Sequence, residues 1–197
     1  MNRLADLARK TSETEIQASL LIDGLGKHEI ITPVGFFTHM LETMAFHGRF
    51  DLTLSARGEV KVDEHHLVED TGLVLGKIFL QALGEAKGIN RAGQAIIPMD
   101  EALAMVAVDL GGRPYLQYRT TFRKGWSGGF DFNLLEDFFQ AFSTGLMANV
   151  AIAAPSARSN HHQAEAIFKA FGRALQMACS ITWREEVIPS LKGVIDR

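Results

Sequence analysis

Two copies of a His-His-x-x-Glu pattern constrain the fold of this chain more than any other feature. One copy begins at His65 and the other at His161, each at the start of a segment with the apolar periodicity of a helix. Another helical segment precedes each copy, so that His39 stands 26 positions before His65 and Asp137 stands 24 positions before His161. The order of strands, helix, strands and helix also recurs from about residue 91. We therefore predict an internal duplication, at a spacing too long for a solenoid repeat.

Alternation of apolar and polar residues predicts strands, and apolar residues three or four positions apart predict helices. The predicted strands lie within residues 15–23, 50–62, 95–110 and 113–122, and the predicted helices span residues 36–48, 67–86, 133–150 and 162–181. This mixture predicts the α+β class, with a sheet packed against helices in each half. We predict half-domains at residues 1–90 and 91–197 that pack as one unit, because no Pro/Ser-rich linker separates them.

The composition is that of a soluble globular protein. Hydrophobic residues make up 47% and charged residues 22% of the chain, and no apolar run approaches the roughly 20 residues of a membrane helix. Residues 1–15 are too polar for a secretory signal, and Cys179 is the single cysteine, so we expect a cytoplasmic protein. A net charge of −3 argues against nucleic acid as the main partner, and we expect no membrane partner either.

Both His-His pairs are candidate metal sites. Because residues four apart in a helix share a face, the first histidine of each pair projects with the glutamate, and the second points elsewhere. Imidazole and carboxylate donors suit a divalent transition metal, and no thiolate favours zinc or copper(I). One ion cannot easily take all three donors of one helix. Each pair would therefore divide between two ions, or between one ion here and one in a neighbouring subunit, with His39 as a further ligand.

Seven separated stretches carry a more specific pattern. They are RKTSETEI (9–16), GFFTHML (35–41), DEHHLVEDTGLVLG (63–76), PMDEALA (98–104), GGRPYL (111–116), NHHQAEAIFKAFGRAL (160–175) and IPSLKGVI (188–195). In this order, and over nearly the whole length, the chain resembles the imidazoleglycerol-phosphate dehydratase family of histidine biosynthesis. So many motifs in sequence make a far more specific match than one short pattern.

This resemblance implies a fold and an activity. Members of the family are manganese-dependent lyases built from two copies of a half-domain, each a four-stranded sheet with two helices, in the arrangement called ribosomal protein S5 domain 2-like. Their subunits assemble into a shell of twenty-four, with the metal sites at subunit interfaces. They remove water from D-erythro-imidazole-glycerol phosphate to give imidazole-acetol phosphate. We expect the same reaction here, with two Mn²⁺ ions per active site.

The resemblance also implies roles for individual residues. Glu13 matches the catalytic glutamate, the acid or base that moves a proton at the carbon or the leaving hydroxyl. Arg91 and Arg113 match phosphate-binding arginines, whose forks suit phosphate oxygens, and Ser190 and Lys192 match the C-terminal part of the same clamp. The expected metal ligands are His39, His65, His66, Glu69, Asp137, His161, His162 and Glu165.

A few positions depart from the family pattern. Thr38 stands where an aspartate is usual, Leu191 where a small hydroxylated residue is usual, and Ala151 where relatives often carry histidine. Asp137 replaces a histidine ligand, which supplies a hard oxygen donor suited to manganese but changes the charge of the site. The PMDE turn (98–101) matches a family motif, and we expect only a structural role for it. These departures leave two alternatives open: a metal-binding relative without the reaction, and an enzyme for another imidazole or phosphate compound.

Overall fold

The computed structural model describes residues 3–58, 60, 63–123, 129–182 and 187–195. Within them the first half consists of β1 (Leu4–Lys10), β2 (Thr14–Leu21), β3 (His28–Ile31), α1 (Gly35–Gly48), β4 (Asp51–Gly58) and α2 (His65–Leu83). The second half consists of β5 (Ala92–Met99), β6 (Ala102–Asp109), β7 (Tyr115–Thr120), α3 (Leu134–Leu146), β8 (Asn149–Ala154) and α4 (Asn160–Cys179).

The two halves share one topology. The first sheet has the strand order β1-β2-β4-β3 and the second has the order β5-β6-β8-β7. In each sheet the long hairpin and the strand beside it are antiparallel, and the edge strands β3 and β7 run parallel to β4 and β8. The predicted α+β class and internal duplication are therefore confirmed. The division into half-domains at residues 90 and 91 stays a prediction.

The helices lie between the two sheets. α1 and α2 contact the first sheet, α3 and α4 contact the second, and across the halves α1 packs on α4 while α2 packs on α3. Buried phenylalanine rings fill this central layer: the ring of Phe37 lies 5.5 Å from that of Phe138, and the ring of Phe142 lies 5.0 Å from that of Phe171. The edge-to-face contact of Phe37 with Phe138 joins a helix of the first half to a helix of the second in one core.

Glycines set how closely the helices approach. A Cβ on Gly76 of α2 would lie 2.3 Å from the carbonyl oxygen of Phe142 in α3. Likewise, a Cβ on Gly172 of α4 would lie 2.5 Å from the carbonyl oxygen of Met44 in α1. Only a residue without a side chain allows two backbones to come this close. The glycines therefore set a short distance between the helices of each pair. Each pair combines a helix of one half with a helix of the other.

Several predicted boundaries need correction. The predicted helix 133–150 is wrong beyond Leu146, because Met147 adopts a left-handed conformation (φ 58°) and the chain continues as β8. The predicted strand region 95–110 is two strands, separated by a turn at Asp100 (φ 47°). β1, β3 and β8 were not predicted. β1 is an edge strand in which exposed and half-buried residues alternate, but its apolar residues, Leu4, Ala5, Leu7 and Ala8, do not alternate with polar ones along the sequence.

The described residues also bear on two smaller expectations. The predicted strand 50–62 ends at Gly58, and its residues 59, 61 and 62 lie outside the described part of the chain. None of the helices in the described ranges combines the length and the hydropathy of a membrane span.

Candidate active site

Both His-His pairs lie in the first turn of a helix. α2 begins at His65, whose backbone N–H donates to Asp63 Oδ1 at 3.0 Å. In α4 the Ser159 hydroxyl accepts a hydrogen bond from the backbone N–H of His162 at 3.3 Å, as a helix N-cap. These short polar side chains satisfy amides that the helix cannot pair, and so fix where each helix begins. The imidazoles are thereby presented at equivalent positions of the two halves.

The first histidine of the second pair belongs to a group drawn from both halves. His161 Nε2 lies 3.3 Å from Glu165 Oε2 on the same face of α4. His39 of α1 completes the group, and one donor atom from each of the three residues lies within 4.8 Å of the others. Within one chain, His39 therefore lies beside the histidine of the other half. The packing of α1 on α4 causes this crossing, which the spacing of His39 and His65 along the sequence did not reveal.

The first pair shows the same crossing with one different ligand. His65 Nε2 lies 3.5 Å from Glu69 Oε2, one turn further along α2, and His65 Nδ1 lies 3.5 Å from Asp137 Oδ2 of α3. Asp137 thus occupies the place in this group that His39 occupies in the other. The aspartate that departs from the family pattern still puts an oxygen donor within reach of the neighbouring imidazole.

The second histidine of each pair faces a hairpin turn instead. His66 Nδ1 lies 3.3 Å from Glu13 Oε2, in the turn between β1 and β2. His162 Nδ1 lies 2.9 Å from Glu101 Oε2 and 3.7 Å from Asp100 Oδ2, in the turn between β5 and β6. The neighbouring histidines therefore point in different directions, as the helical geometry predicted.

The donor spacing fits a divalent cation. Two ligands each about 2.1 Å from one ion and at angles of 90–110° lie roughly 3.0–3.4 Å apart. The contacts of His161 Nε2 with Glu165, at 3.3 Å, and of His65 Nε2 with Glu69, at 3.5 Å, are close to that spacing. Asp137 lies beside the other ring nitrogen of His65, Nδ1, so one ion cannot use both contacts of that imidazole. Nitrogen and oxygen donors without sulfur are also the set that such ions accept. The residues present thus fit the metal that the resemblance implies.

Charges around α4 keep the carboxylates ionised. Burial raises the pKa of Glu165, but the hydrogen bond from Lys169 at 2.8 Å and the charge of that ammonium outweigh it, so the pKa lies below its ordinary value. The hydrogen bond from His162, with help from backbone N–H donors that include Ser159, lowers the pKa of Glu101 to about 2. Ionised carboxylates are the form that can accept hydrogen bonds or bind a cation.

The predicted phosphate-binding residues converge on one cavity. Arg91, Arg113, Ser190 and Lys192, which span about half of the chain, line a volume of about 270 Å³ together with Gly111, Leu191, Val194 and Ile195. Arg91 is anchored there by Asp109, whose carboxylate accepts from Nε at 2.7 Å and from Nη2 at 3.2 Å. The hydrogen bond to Asp109 raises the pKa of the Arg91 guanidinium. The cavity is rich in cationic donors, as an anion site requires.

Sequence reasoning missed Asp100, Glu101 and Asp109. The PMDE turn received only a structural role, yet its two carboxylates lie beside His162 and form a further cluster of possible metal donors. The internal duplication could have indicated Asp100 and Glu101, because the β5–β6 turn of the second half is equivalent to the β1–β2 turn of the first half, which carries Glu13. Nothing in the sequence joined Asp109 to Arg91. Of the departures, Leu191 lines the same cavity as Arg91 and Lys192.

Comparisons with known proteins agree with the resemblance. A sequence model of the family described as imidazoleglycerol-phosphate dehydratase matches residues 32–175. A protein of that name from Koribacter versatilis is 50% identical over 194 residues, which cover 98% of this chain and 100% of the relative. Another from Caldicellulosiruptor saccharolyticus is 45% identical and covers 98% of both chains.

Solved structures give the same result at the level of the fold. The crystal structure of imidazoleglycerol-phosphate dehydratase from Staphylococcus aureus has a TM-score of 0.80 and 37% identity, and the match covers 91% of this chain and 99% of that one. The enzyme from Pyrococcus furiosus, in a complex with the compound (S)-C348, has a TM-score of 0.80 and 35% identity over 95% of this chain and 99% of its own.

Proposed function

Because this chain belongs to the imidazoleglycerol-phosphate dehydratase family, the hydro-lyases of histidine biosynthesis, we propose that it dehydrates D-erythro-imidazole-glycerol phosphate to imidazole-acetol phosphate. The family match extends over nearly the full length, including the motifs of both halves. Loss of the reaction and a change of substrate, the two alternatives open from the sequence, find no support among the relatives described above.

The observation that carries the proposal is the convergence of the phosphate clamp. Arg91, Arg113, Ser190 and Lys192 are brought to one cavity although the first and last are about a hundred residues apart. A phosphate monoester at this position would meet two guanidinium groups, one ammonium and one hydroxyl. Such donors bind phosphate oxygens directionally and would hold the rest of the substrate in a fixed orientation.

We propose that the eight predicted ligands hold Mn²⁺, with two ions per active site. His39, His161 and Glu165 form one group of donors, and His65 has Glu69 beside its Nε2 and Asp137 beside its Nδ1. When bound, such cations supply Lewis acidity that stabilises negative charge on the imidazole ring of the substrate. The carboxylate of Asp137 makes its group more negative than a histidine would, which favours a hard cation.

Glu13 is the residue proposed to move a proton. The reaction removes the hydroxyl of the carbon attached to the imidazole ring and the hydrogen of the neighbouring carbon, and together they leave as water. The hydroxyl that remains on the neighbouring carbon becomes the ketone of the product. Glu13 is more than half exposed and contacts His66 through one oxygen, so its carboxylate is accessible to a substrate. A positioned carboxylate of this kind accelerates proton transfer by typically 10²–10⁴-fold.

We also propose a cytoplasmic homo-oligomer, of twenty-four subunits by analogy with the family. The group of His39, His161 and Glu165 offers three ligands, and the exposed His39 leaves room there for ligands from another copy. Ile96 and Met105 are exposed on the outer face of the second sheet, at 65% and 40%, and give that face an apolar character suited to self-association.

The direct test is conversion of the substrate by purified, manganese-loaded protein, followed by mass spectrometry as the loss of one water. Glu13→Gln should lower kcat on the order of 10²–10⁴-fold while metal content and oligomer size stay unchanged. Glu15→Gln is the matched control, because Glu15 is two residues away and pairs with Lys10 at the surface. Full activity of Glu13→Gln would exclude Glu13 from the mechanism. Failure of the folded, loaded protein to dehydrate the substrate or to complement a histidine auxotroph would contradict the function itself.

A further inference from the structure

The backbone of Arg91 is held in a fixed conformation by its neighbours. Its backbone is in the left-handed region (φ 70°), which is unfavourable for a residue with a side chain, and it is fixed by hydrogen bonds on both sides. The Arg91 N–H donates to the carbonyl of Ala178 at 2.9 Å, and the Arg91 carbonyl accepts from the N–H of Leu110 at 3.0 Å. A strained backbone persists only where the surrounding structure holds it, so these hydrogen bonds fix the position of Arg91 in the cavity.

The side chain is fixed as well. Asp109 accepts from Nε and Nη2 of Arg91, and the carbonyl of Pro189 accepts from Nη1 at 3.0 Å. A guanidinium has five N–H donors, so these three contacts leave one N–H on Nη1 and one on Nη2. Those two donors form the pair that can bind two oxygens of one phosphate.

Gly111 leaves the room for this arrangement. A Cβ on Gly111 would lie 2.9 Å from Arg91 Nη2 and 3.0 Å from Asp109 Oδ2. Both distances are shorter than an ordinary contact, so a side chain here would displace the guanidinium, the carboxylate or both. Gly111 and Arg91 also line the same cavity.

The ion pair changes what Arg91 can contribute. With Asp109 beside it, the pair is electrically neutral, so Arg91 supplies directed donors rather than net charge. Among the described residues, Arg113 and Lys192 form no ion pair, and they provide the positive charge of the cavity. A carboxylate next to an anion site weakens binding through charge repulsion unless its orienting effect is the larger one.

We propose that Asp109 is a positioning residue that aims Arg91 at a phosphate monoester, and that Gly111 is required for the same alignment. This inference rests on the proposed function, because it takes the substrate phosphate as the ligand of the cavity. It makes an unusual prediction of sign: removing the negative charge of Asp109 should weaken the binding of an anion.

The test measures binding of inorganic phosphate to the full-length, metal-loaded protein by calorimetry, together with KM and kcat. Asp109→Asn should raise both the Kd for phosphate and KM by about tenfold, with kcat nearly unchanged, because one charge-assisted hydrogen bond is lost. Gly111→Ala should have a similar effect. Asp6→Asn is the control, since it removes the same charge from an exposed position on the first sheet.

The outcomes separate the inference from the function on which it rests. Tighter or unchanged phosphate binding in Asp109→Asn would refute the positioning role. If that variant does not fold, an unchanged Kd in Gly111→Ala would refute it equally. In an Arg91→Ala background, Asp109→Asn should no longer weaken binding, because there is no guanidinium to aim. If Arg91→Ala itself binds phosphate normally, Arg91 is not part of the clamp, and the proposed function loses that support.

Discussion

Gly76→Ala tests whether close contact between α2 and α3 stabilises the packing of the two halves. The added Cβ would lie 2.3 Å from the carbonyl oxygen of Phe142 and 2.7 Å from the backbone nitrogen of Leu146. Both obstacles are backbone atoms inside a helix, so neither can rotate away. The two helices must separate, and with them the two halves of the chain.

The expected magnitude follows from the overlap. Ordinary contact begins at 3.4 Å, so the helices must move apart by about 1 Å near the substitution. A gap of that size forfeits a quarter to a half of the dispersion energy of the atoms that it separates. Overpacking of this kind costs about 1–3 kcal/mol. For a chain of this length, that corresponds to a fall in Tm of roughly 2–12 °C.

Thermal unfolding of the metal-free variant, followed by circular dichroism, measures this effect. Gly35→Ala is the matched control, because nothing lies within 4 Å of a Cβ at that position of α1. Gly145→Ala should act like Gly76→Ala, and the double variant should lose less than the sum, since a Cβ on Gly145 would lie 3.2 Å from Gly76 Cα. A Tm for Gly76→Ala equal to that of the control would show that the helices tolerate a larger separation.

The remaining predictions concern the ligands and one surface ion pair. His65→Ala and His161→Ala should each lower metal affinity by at least about a hundredfold and reduce the oligomer, measured by elemental analysis and light scattering, because loss of even an outer-shell partner costs 10–100-fold. Unchanged metal content and size in both variants would contradict the proposed sites. Asp23→Asn should lower the free energy of unfolding at neutral pH. The hydrogen bond from Arg3 lowers the pKa of Asp23 below 3.8, and the stabilisation present above that value is lost as the pH falls through the folded-state pKa. Variant and parent should therefore converge in acid, and a difference that persists there would exclude this cause.

The local pattern of the sequence was enough to predict the class of fold and most of its helices. α1, α2 and α4 begin and end within a few residues of their predicted positions, because apolar periodicity reports directly which face of a helix is buried. The apolar pattern of the sequence did not mark the end of α3. Ala-rich β8 continues the apolar content of the helix, and only its pairing with β6 and β7 makes it a strand.

The candidate site was likewise predictable from the sequence only in part. The directions of the two histidines in each pair follow from helical geometry, and the residue types alone predicted metal ligands. The phosphate clamp and Glu13 came from the resemblance to a family, since as isolated charges they would read as exposed loop residues. The structure adds that the four clamp residues share one cavity.

Sequence by itself determined the duplication, the helices that carry the imidazoles, and the membership of a family of lyases. Tertiary structure alone decided that His39 lies beside His161, that Asp137 lies beside His65, and that Asp109 fixes Arg91. The physical reason is that periodicity records whether a side chain is buried, but not against which element. That choice depends on which helices can approach closely enough, and here glycines allow the helices of opposite halves to meet.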